Sequence, residues 1–318
     1  MTDTAGGAPR PRLILDCDPG VDDAAALVLA AHFGDLVGVT TVGGNAPLAD
    51  VTTNALLATQ IFGIDVEVHA GVGRPLVGEP LHAPEVHGEH GFAGPDLPRL
   101  QRSVASDDAV GWLVETIRAE EGLWLVPTGP LTNVAMALQV APDLARRVSG
   151  ISFMGGSATG GNRTAAAEFN ALADPEAAAA VVAAPTVVHM AGLDLTMQFR
   201  SDDALADALQ ATGTAGGRLL ADLIGDYLDN MATIRGERWG GLHDPCAVLA
   251  LTHPGLIGWT SRPCAVELAG THTRGMTLVD RRRPTEEPDD APGIVRHGHT
   301  IDADAARAAL VDAVAAHA

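Results

Sequence analysis

The chain has 318 residues, 47% of them hydrophobic, and a formal net charge of −20 from 40 acidic and 20 basic side chains. All 20 basic residues are Arg, and the absence of Lys excludes a Walker-type phosphate loop and Schiff-base chemistry. The acidic balance argues against nucleic acid or an anionic membrane as partner, since both demand a basic surface.

Residues 1–11 are small and polar without an apolar core, so they read as a loose tail rather than a signal peptide, leaving 12–318 as one expected domain. Leu13–Leu15 reads as a buried strand, and the Ala-rich run from Asp22 as a helix. Leu36–Val42 is a second strand, ending at Gly43-Gly44-Asn45, and Ala49–Phe62 is helical in character. Val66–Ala70 is a short strand, followed by a Gly-, Pro- and His-rich irregular segment over 71–100; loops of that length usually serve function. A helix over Asp107–Glu120 precedes a strand over Leu123–Pro127, which stops at Thr128-Gly129-Pro130. Val148–Met154 is a strand, Asp174-Pro175 opens a helix, and Thr186–Met190 is a further strand. Residues 201–232 are mainly helical with a break near Gly213 to Gly217. Ala265–Leu268 and Met276–Asp280 are late strand-like segments, Arg281–Gly293 is a charged loop, and Asp302–His317 is an amphipathic helix. This alternation predicts an α/β fold with a mostly parallel central sheet, helices on both faces, and an open Rossmann-like arrangement whose site lies at the C-terminal strand ends.

Cys17, Cys246 and Cys264 lack metal-type spacing and imply reduced thiols in a cytoplasmic protein. No run approaches the roughly 18 apolar residues of a membrane span.

Three constellations carry chemistry. Asp16, Asp18, Asp22 and Asp23 follow the first strand directly. Carboxylates this close repel one another unless a cation lies between them, and hard oxygen donors suit Ca²⁺ or Mg²⁺. The plainer reading is an acidic helix N-terminus, which explains Asp22 alone better than it explains the set. Asn162, Glu168 and Asn170 together offer the donors and acceptors that several hydroxyls need. His243-Asp244 sets an imidazole beside a carboxylate. Taken singly, Asn162 fits a turn, Glu168 a solvated acid and His243 a half-buried histidine.

With these residues in place, the chain resembles the inosine–uridine-preferring nucleoside hydrolases. Their Asp-x-Asp-x-Gly-x-Asp-Asp pattern stands here as Asp16, Asp18, Gly20, Asp22 and Asp23. The resemblance continues in order through Gly44-Asn45, Thr128 to Asn133, Met154-Gly155-Gly156, Asn162 to Asn170 and His243-Asp244-Pro245. It implies Ca²⁺ held by Asp18, Asp23, the Thr128 carbonyl and Asp244, with Asp18 also the base for an attacking water. It implies ribose contacts from Asp22, Asn45, Met154, Asn162, Glu168 and Asn170, a support role for Asp16, and His243 facing the leaving base. The substrate would be a ribonucleoside, and the assembly a homodimer or homotetramer.

The His243-Asp244 pair points to the pyrimidine-preferring or nonspecific branch rather than one that sandwiches its base between tryptophans. Tyr227 and His87 are further base-side candidates, and Trp239 lies nearby in sequence. Met231 stands where a second polar or aromatic group is expected, which bears on how the leaving base is activated. Competing readings are a haloacid-dehalogenase-type phosphatase, which needs a Lys this chain lacks, a nucleoside- or ribose-binding protein without catalysis, and a hydrolase for an unusual ribonucleoside.

Overall fold

The structure, a computed structural model, describes residues 10–92, 97–282 and 285–317. Of the expected N-terminal tail, residues 1–9 lie outside the described residues, and Arg10 and Pro11 lead directly into the first strand.

Eleven strands are present among the described residues: β1 (Arg12–Cys17), β2 (Asp35–Thr41), β3 (Val68–Ala70), β4 (Leu123–Pro127), β5 (Gly150–Met154), β6 (Val188–Ala191), β7 (Arg200–Ser201), β8 (Gly240–Gly241), β9 (Ile257–Val266), β10 (Thr277–Val279) and β11 (Ile294–Ile301). Nine of them form one sheet in the order β10-β9-β11-β6-β5-β4-β1-β2-β3, while β7 and β8 make a separate antiparallel ribbon. From β3 across to β11 every pairing is parallel; only β9 and β10 run antiparallel at the edge. The expected open, mostly parallel sheet is what forms.

β1 shows why the sheet is covered on both faces. Leu13, Leu15 and Cys17 join the apolar cluster built with the helices Val21–Phe33, Ala215–Arg235, Pro245–Thr252 and Ala303–Ala316. Ile14 points the other way, into the cluster built with Ala109–Ala119, Thr132–Val140 and Pro175–Val182. Strand side chains alternate, so a strand apolar on both sides is stable only between two helical layers. β1 lies between β4 and β2, so the chain leaves β1 toward one side of the sheet while β4 flanks it on the other. The crevice outside the C-terminal ends of β1 and β4 is thus the topological switch point, where ligands bind in open α/β sheets.

Two differences from the sequence reading stand out. The predicted Ala265–Leu268 segment is only the end of the ten-residue β9, and β11 was not predicted at all. Both strands interleave polar and aromatic residues (Trp259, Ser261, Arg262; Arg296, His297, His299), so neither shows a clean apolar period. The helix break falls at 211–214, with Thr214 capping the amide of Gly217, so Gly216 and Gly217 lie inside the long helix. Among the described residues no helix is long and apolar enough to cross a membrane, and all three cysteines are buried and free.

Candidate active site

The Asp motif occupies the turn from β1 into the helix Val21–Phe33. Asp16, at the strand end, is buried, and its Oδ1 accepts from Thr40 Oγ1 (2.6 Å) and Asn133 Nδ2 (2.7 Å). Burial raises its carboxyl to about 6, against the pull of these two donors. Asp16 thus ties β1 to β2 and to the helix after β4, in the support role expected.

Asp18 is 1% exposed; its Oδ2 accepts from the Asn45 backbone N–H (2.7 Å), and its Oδ1 is buried with no partner among the described residues. Two glycines allow this placement. A Cβ on Gly44 would overlap Asp18 Oδ2, and one on Gly129 would lie 2.6 Å from Oδ1. The Gly44-Asn45 and Thr128-Gly129 turns are therefore glycine-bearing because backbone closes on both sides of one carboxylate.

Asp23 ties the turn together. Its Oδ1 accepts from the Asp18 N–H (3.2 Å) and Thr128 Oγ1 (2.8 Å), and its Oδ2 accepts from the Gly20 N–H (3.1 Å). Oxygens of Asp22, Asp23 and Asp244 all lie within 4.8 Å of one another, and all three residues are buried. Desolvation, and then repulsion between neighbours, pushes the carboxyls of Asp18, Asp23 and Asp244 above the usual range. The donors are all hard oxygens, they are crowded, and one is an orphan. That is the condition a divalent cation relieves, so the residues fit the metal that the sequence implied. The tightest trio contains Asp22, a residue placed by the sequence reading on the substrate and not on the metal.

Above this cluster opens a cavity of about 190 Å³. Its wall includes Asp22, Asn45, His87, Thr128, Met154, Asn162, Glu168, Asn170, Tyr227, His243 and Asp244, which brings together eleven of the thirteen expected site residues. Asp18 and Asp23 lie beneath the floor. Glu168 caps the short helix Phe169–Ala173; its carboxylate accepts from the N–H groups of Gly156 (2.8 Å), Asn170 (2.9 Å) and Ala171 (3.0 Å). Asn170 Nδ2 donates to the carbonyls of Thr128 (2.7 Å) and Met154 (3.2 Å), so the loop after β5 is laced to the end of β4. Asn162 is exposed, and its Oδ1 accepts from the Phe169 N–H (2.9 Å), which folds the loop back on itself.

At the other end His243 pairs through Nδ1 with Thr196 Oγ1 (2.7 Å), and its backbone N–H donates to Asp22 (3.3 Å). Burial lowers the imidazole's pKa, although the charge of Asp22 opposes this. His87 stacks parallel to Tyr227 with ring centroids 6.5 Å apart, and the Tyr227 hydroxyl donates to the Gly241 carbonyl (3.3 Å). Trp239 is not in the wall; it lies under the Arg200 guanidinium, 4.0 Å from it.

The sequence reading missed Thr196, Phe169, Arg163, Glu85 and Arg235. Arg163 pairs with Glu85 across the pocket mouth, joining two loops that are distant in sequence. Tyr227, Met231 and Arg235 recur every four residues on one face of the helix Ala215–Arg235, so Arg235 was findable by helical spacing once Tyr227 had been chosen. Thr196 carried no such signal.

Residues 13–308 match the family model described as inosine-uridine preferring nucleoside hydrolase. The chain belongs to this family. Over 283 residues it is 38% identical to the inosine-uridine preferring nucleoside hydrolase of Crithidia fasciculata, an alignment covering 87% of this chain and 90% of that protein. It is 39% identical over 276 residues to the pyrimidine-specific ribonucleoside hydrolase RihA of Enterobacter sp. (strain 638), covering 84% and 87%. Among solved structures it resembles the purine-preferring ribonucleoside hydrolase from Gardnerella vaginalis, with TM-score 0.88, 28% identity, and coverage of 96% of this chain and 98% of that one. The nucleoside hydrolase fold is thus shared almost end to end, and a ribonucleoside is the substrate class that fits the cavity's polar and aromatic halves.

Proposed function

We propose that this nucleoside hydrolase cleaves the N-glycosidic bond of ribonucleosides to ribose and free base in a Ca²⁺-dependent reaction, with a pyrimidine-preferring or nonspecific base pocket. The observation that carries the reading is the buried Asp18 Oδ1, unpartnered within a nest of carboxylates directly beneath the cavity. Asp18, Asp23, Asp244 and the Thr128 carbonyl would hold the ion, with Asp22 closing the group. Bound there, Ca²⁺ would supply a hard Lewis-acidic anchor for oxygen ligands without the strong water acidification of zinc, so a protein base is still required.

Asp18 takes the proton from the attacking water. Its Oδ1, buried and without a partner among the described residues, is the oxygen free to take that proton. Asp22, Asn45, Asn162, Glu168 and Asn170 grip the ribose hydroxyls. As the bond breaks, positive charge grows on the sugar and negative charge on the base, so acids belong on the ribose side and a hydrogen donor on the base side. His243 supplies that donor. With Thr196 Oγ1 as the donor in its contact with Nδ1, the direction we propose for that pair, the ring hydrogen sits on Nε2, and a neutral imidazole can then stabilise the departing base.

The base side is lined by His87, Tyr227, Met231, Arg235 and His243, and no tryptophan lines the cavity among the described residues. With the 39% identity to a relative named pyrimidine-specific, this supports the base preference. A homodimer or homotetramer is the assembly we propose.

The test is ribose release from uridine, cytidine, inosine, adenosine and guanosine, with Ca²⁺ and after exhaustive chelation. Chelator-sensitive release, fastest from uridine or cytidine or even across all five, is expected. Release unaffected by chelation would refute the metal assignment, and a strict purine preference would refute the base assignment.

A further inference from the structure

A second cavity, of about 360 Å³, lies away from the nucleoside pocket on the polar face of the sheet's antiparallel edge. Asp194, Thr260, Arg262, Arg281, His297 and His299 line it. Alternation along paired strands assembles this wall. Thr260 and Arg262 share one face of β9, and His297, opposite Thr260 in the register, shares the same face of β11 with His299. Trp259, Ser261 and Arg296 occupy the other face, around His189.

The charge balance of this wall is positive. Asp194 is its one carboxylate, and that group is already committed. It accepts from the Ala158 N–H (2.6 Å), Thr159 Oγ1 (2.6 Å), Ser157 Oγ (3.2 Å) and His297 Nε2 (3.3 Å). Burial works against its charged form, but these donors outweigh burial and hold its carboxyl well below the usual range. Among the described residues neither Arg262 nor Arg281 has a carboxylate partner, and Arg262 Nη1 is buried with no hydrogen-bond partner among them. A buried guanidinium N–H left unpaired is costly, and guanidinium forks match oxyanions two bonds at a time. In a chain of net charge −20, two guanidiniums with no carboxylate partner among the described residues put a basic patch on an acidic molecule.

We propose that this cavity is an anion site for a phosphate group, free or as a phosphomonoester, held by Arg262 and Arg281 with Thr260 and His299 at its side. The cavity is larger than orthophosphate alone requires, so an ester with a small organic body also fits.

The test is isothermal titration of the full-length protein with orthophosphate and, separately, with glycerol phosphate, in chloride buffer free of divalent cations. Binding of either is expected. Similar affinities would assign the site to the oxyanion alone, and binding of the ester only would assign it to a phosphomonoester. Arg262→Gln should weaken binding by about tenfold or more, the equivalent of losing one charge-assisted pair. The exposed Arg281→Gln should do so with no risk to folding, and Arg235→Gln, in the nucleoside pocket, should leave binding intact. No heat with either ligand would overturn the proposal. So would binding that survives both Arg substitutions, or that is lost in Arg235→Gln, because the anion would then occupy the nucleoside pocket.

Discussion

Thr196→Val isolates the single contact that orients His243. The substitution keeps the volume of a fully buried side chain and removes only the hydroxyl that lies 2.7 Å from His243 Nδ1. A hydrogen bond of this kind contributes about 1 to 2 kcal/mol once the unpaired nitrogen is counted. If that bond fixes the Nε2–H tautomer, its loss falls on the step in which the base departs, because the donor's contact strengthens as charge builds there. We therefore predict about a five- to thirtyfold drop in kcat for uridine, with KM nearly unchanged, following the conversion of barrier height to rate. For p-nitrophenyl riboside, whose leaving group needs no such help, the drop should be under about twofold. Thr196→Ser should restore most of the uridine rate. Steady-state kinetics on both substrates, beside thermal melts to verify folding, make the assay. Equal losses on the two substrates, or no loss on either, would refute the assignment of His243 as donor and of Thr196 as the group that positions it.

Three further outcomes are expected. Asp18→Asn should preserve the fold, since Asn45 N–H can still find an oxygen, yet lower kcat by about 100-fold or more, as loss of a general base does; near-normal turnover would remove Asp18 as base. Ca²⁺ should raise the melting temperature of the wild-type protein, because it binds only the folded carboxylate nest, and Asp244→Asn should abolish most of that rise in differential scanning fluorimetry; an unchanged shift would place the ion elsewhere. His189 is packed between Trp124 and Trp259 with its pKa lowered to about 4 by burial and then by Arg296. A histidine so depressed is stabilising in its neutral form above the unfolded value near 6.5, and that contribution falls away as pH drops toward 4. The unfolding free-energy gap between wild type and His189→Gln should thus shrink by about 2 kcal/mol between about pH 7 and about pH 5 in urea titrations; a pH-independent gap would contradict the burial argument.

The parts of this molecule legible in sequence were those encoded locally. β1 and its helix were readable because an apolar run, a turn rich in Asp and Gly, and an Ala-rich segment follow one another within twenty residues. Asn162, Glu168 and Asn170, which line the cavity, were readable as a cluster for the same reason. β11 was not, because Arg296 answers to His189 and Asp289, and His297 and His299 to one cavity, rather than to an apolar period of the strand's own. Asp22 in the tightest carboxylate trio, Thr196 behind His243, and Arg163 against Glu85 are all products of tertiary approach. No spacing rule joins residues 47 or 78 positions apart. Trp239 shows the converse, since proximity to His243 along the chain did not bring it to the pocket wall.

The carboxylate nest also has a history in time. Asp22 meets the His243 amide across a separation of 221 positions, and Asp23 meets Thr128 across 105. A chain emerging from the ribosome carries its acidic turn early and gains Thr40 and Asn45 soon after, yet the turn is closed only when β4 and, much later, the helix Pro245–Thr252 arrive. Until then the four acids of the turn are hydrated and lack the oxygens of Thr128 and Asp244. Tight capture of a divalent cation at this nest would therefore report that the last third of the molecule has docked.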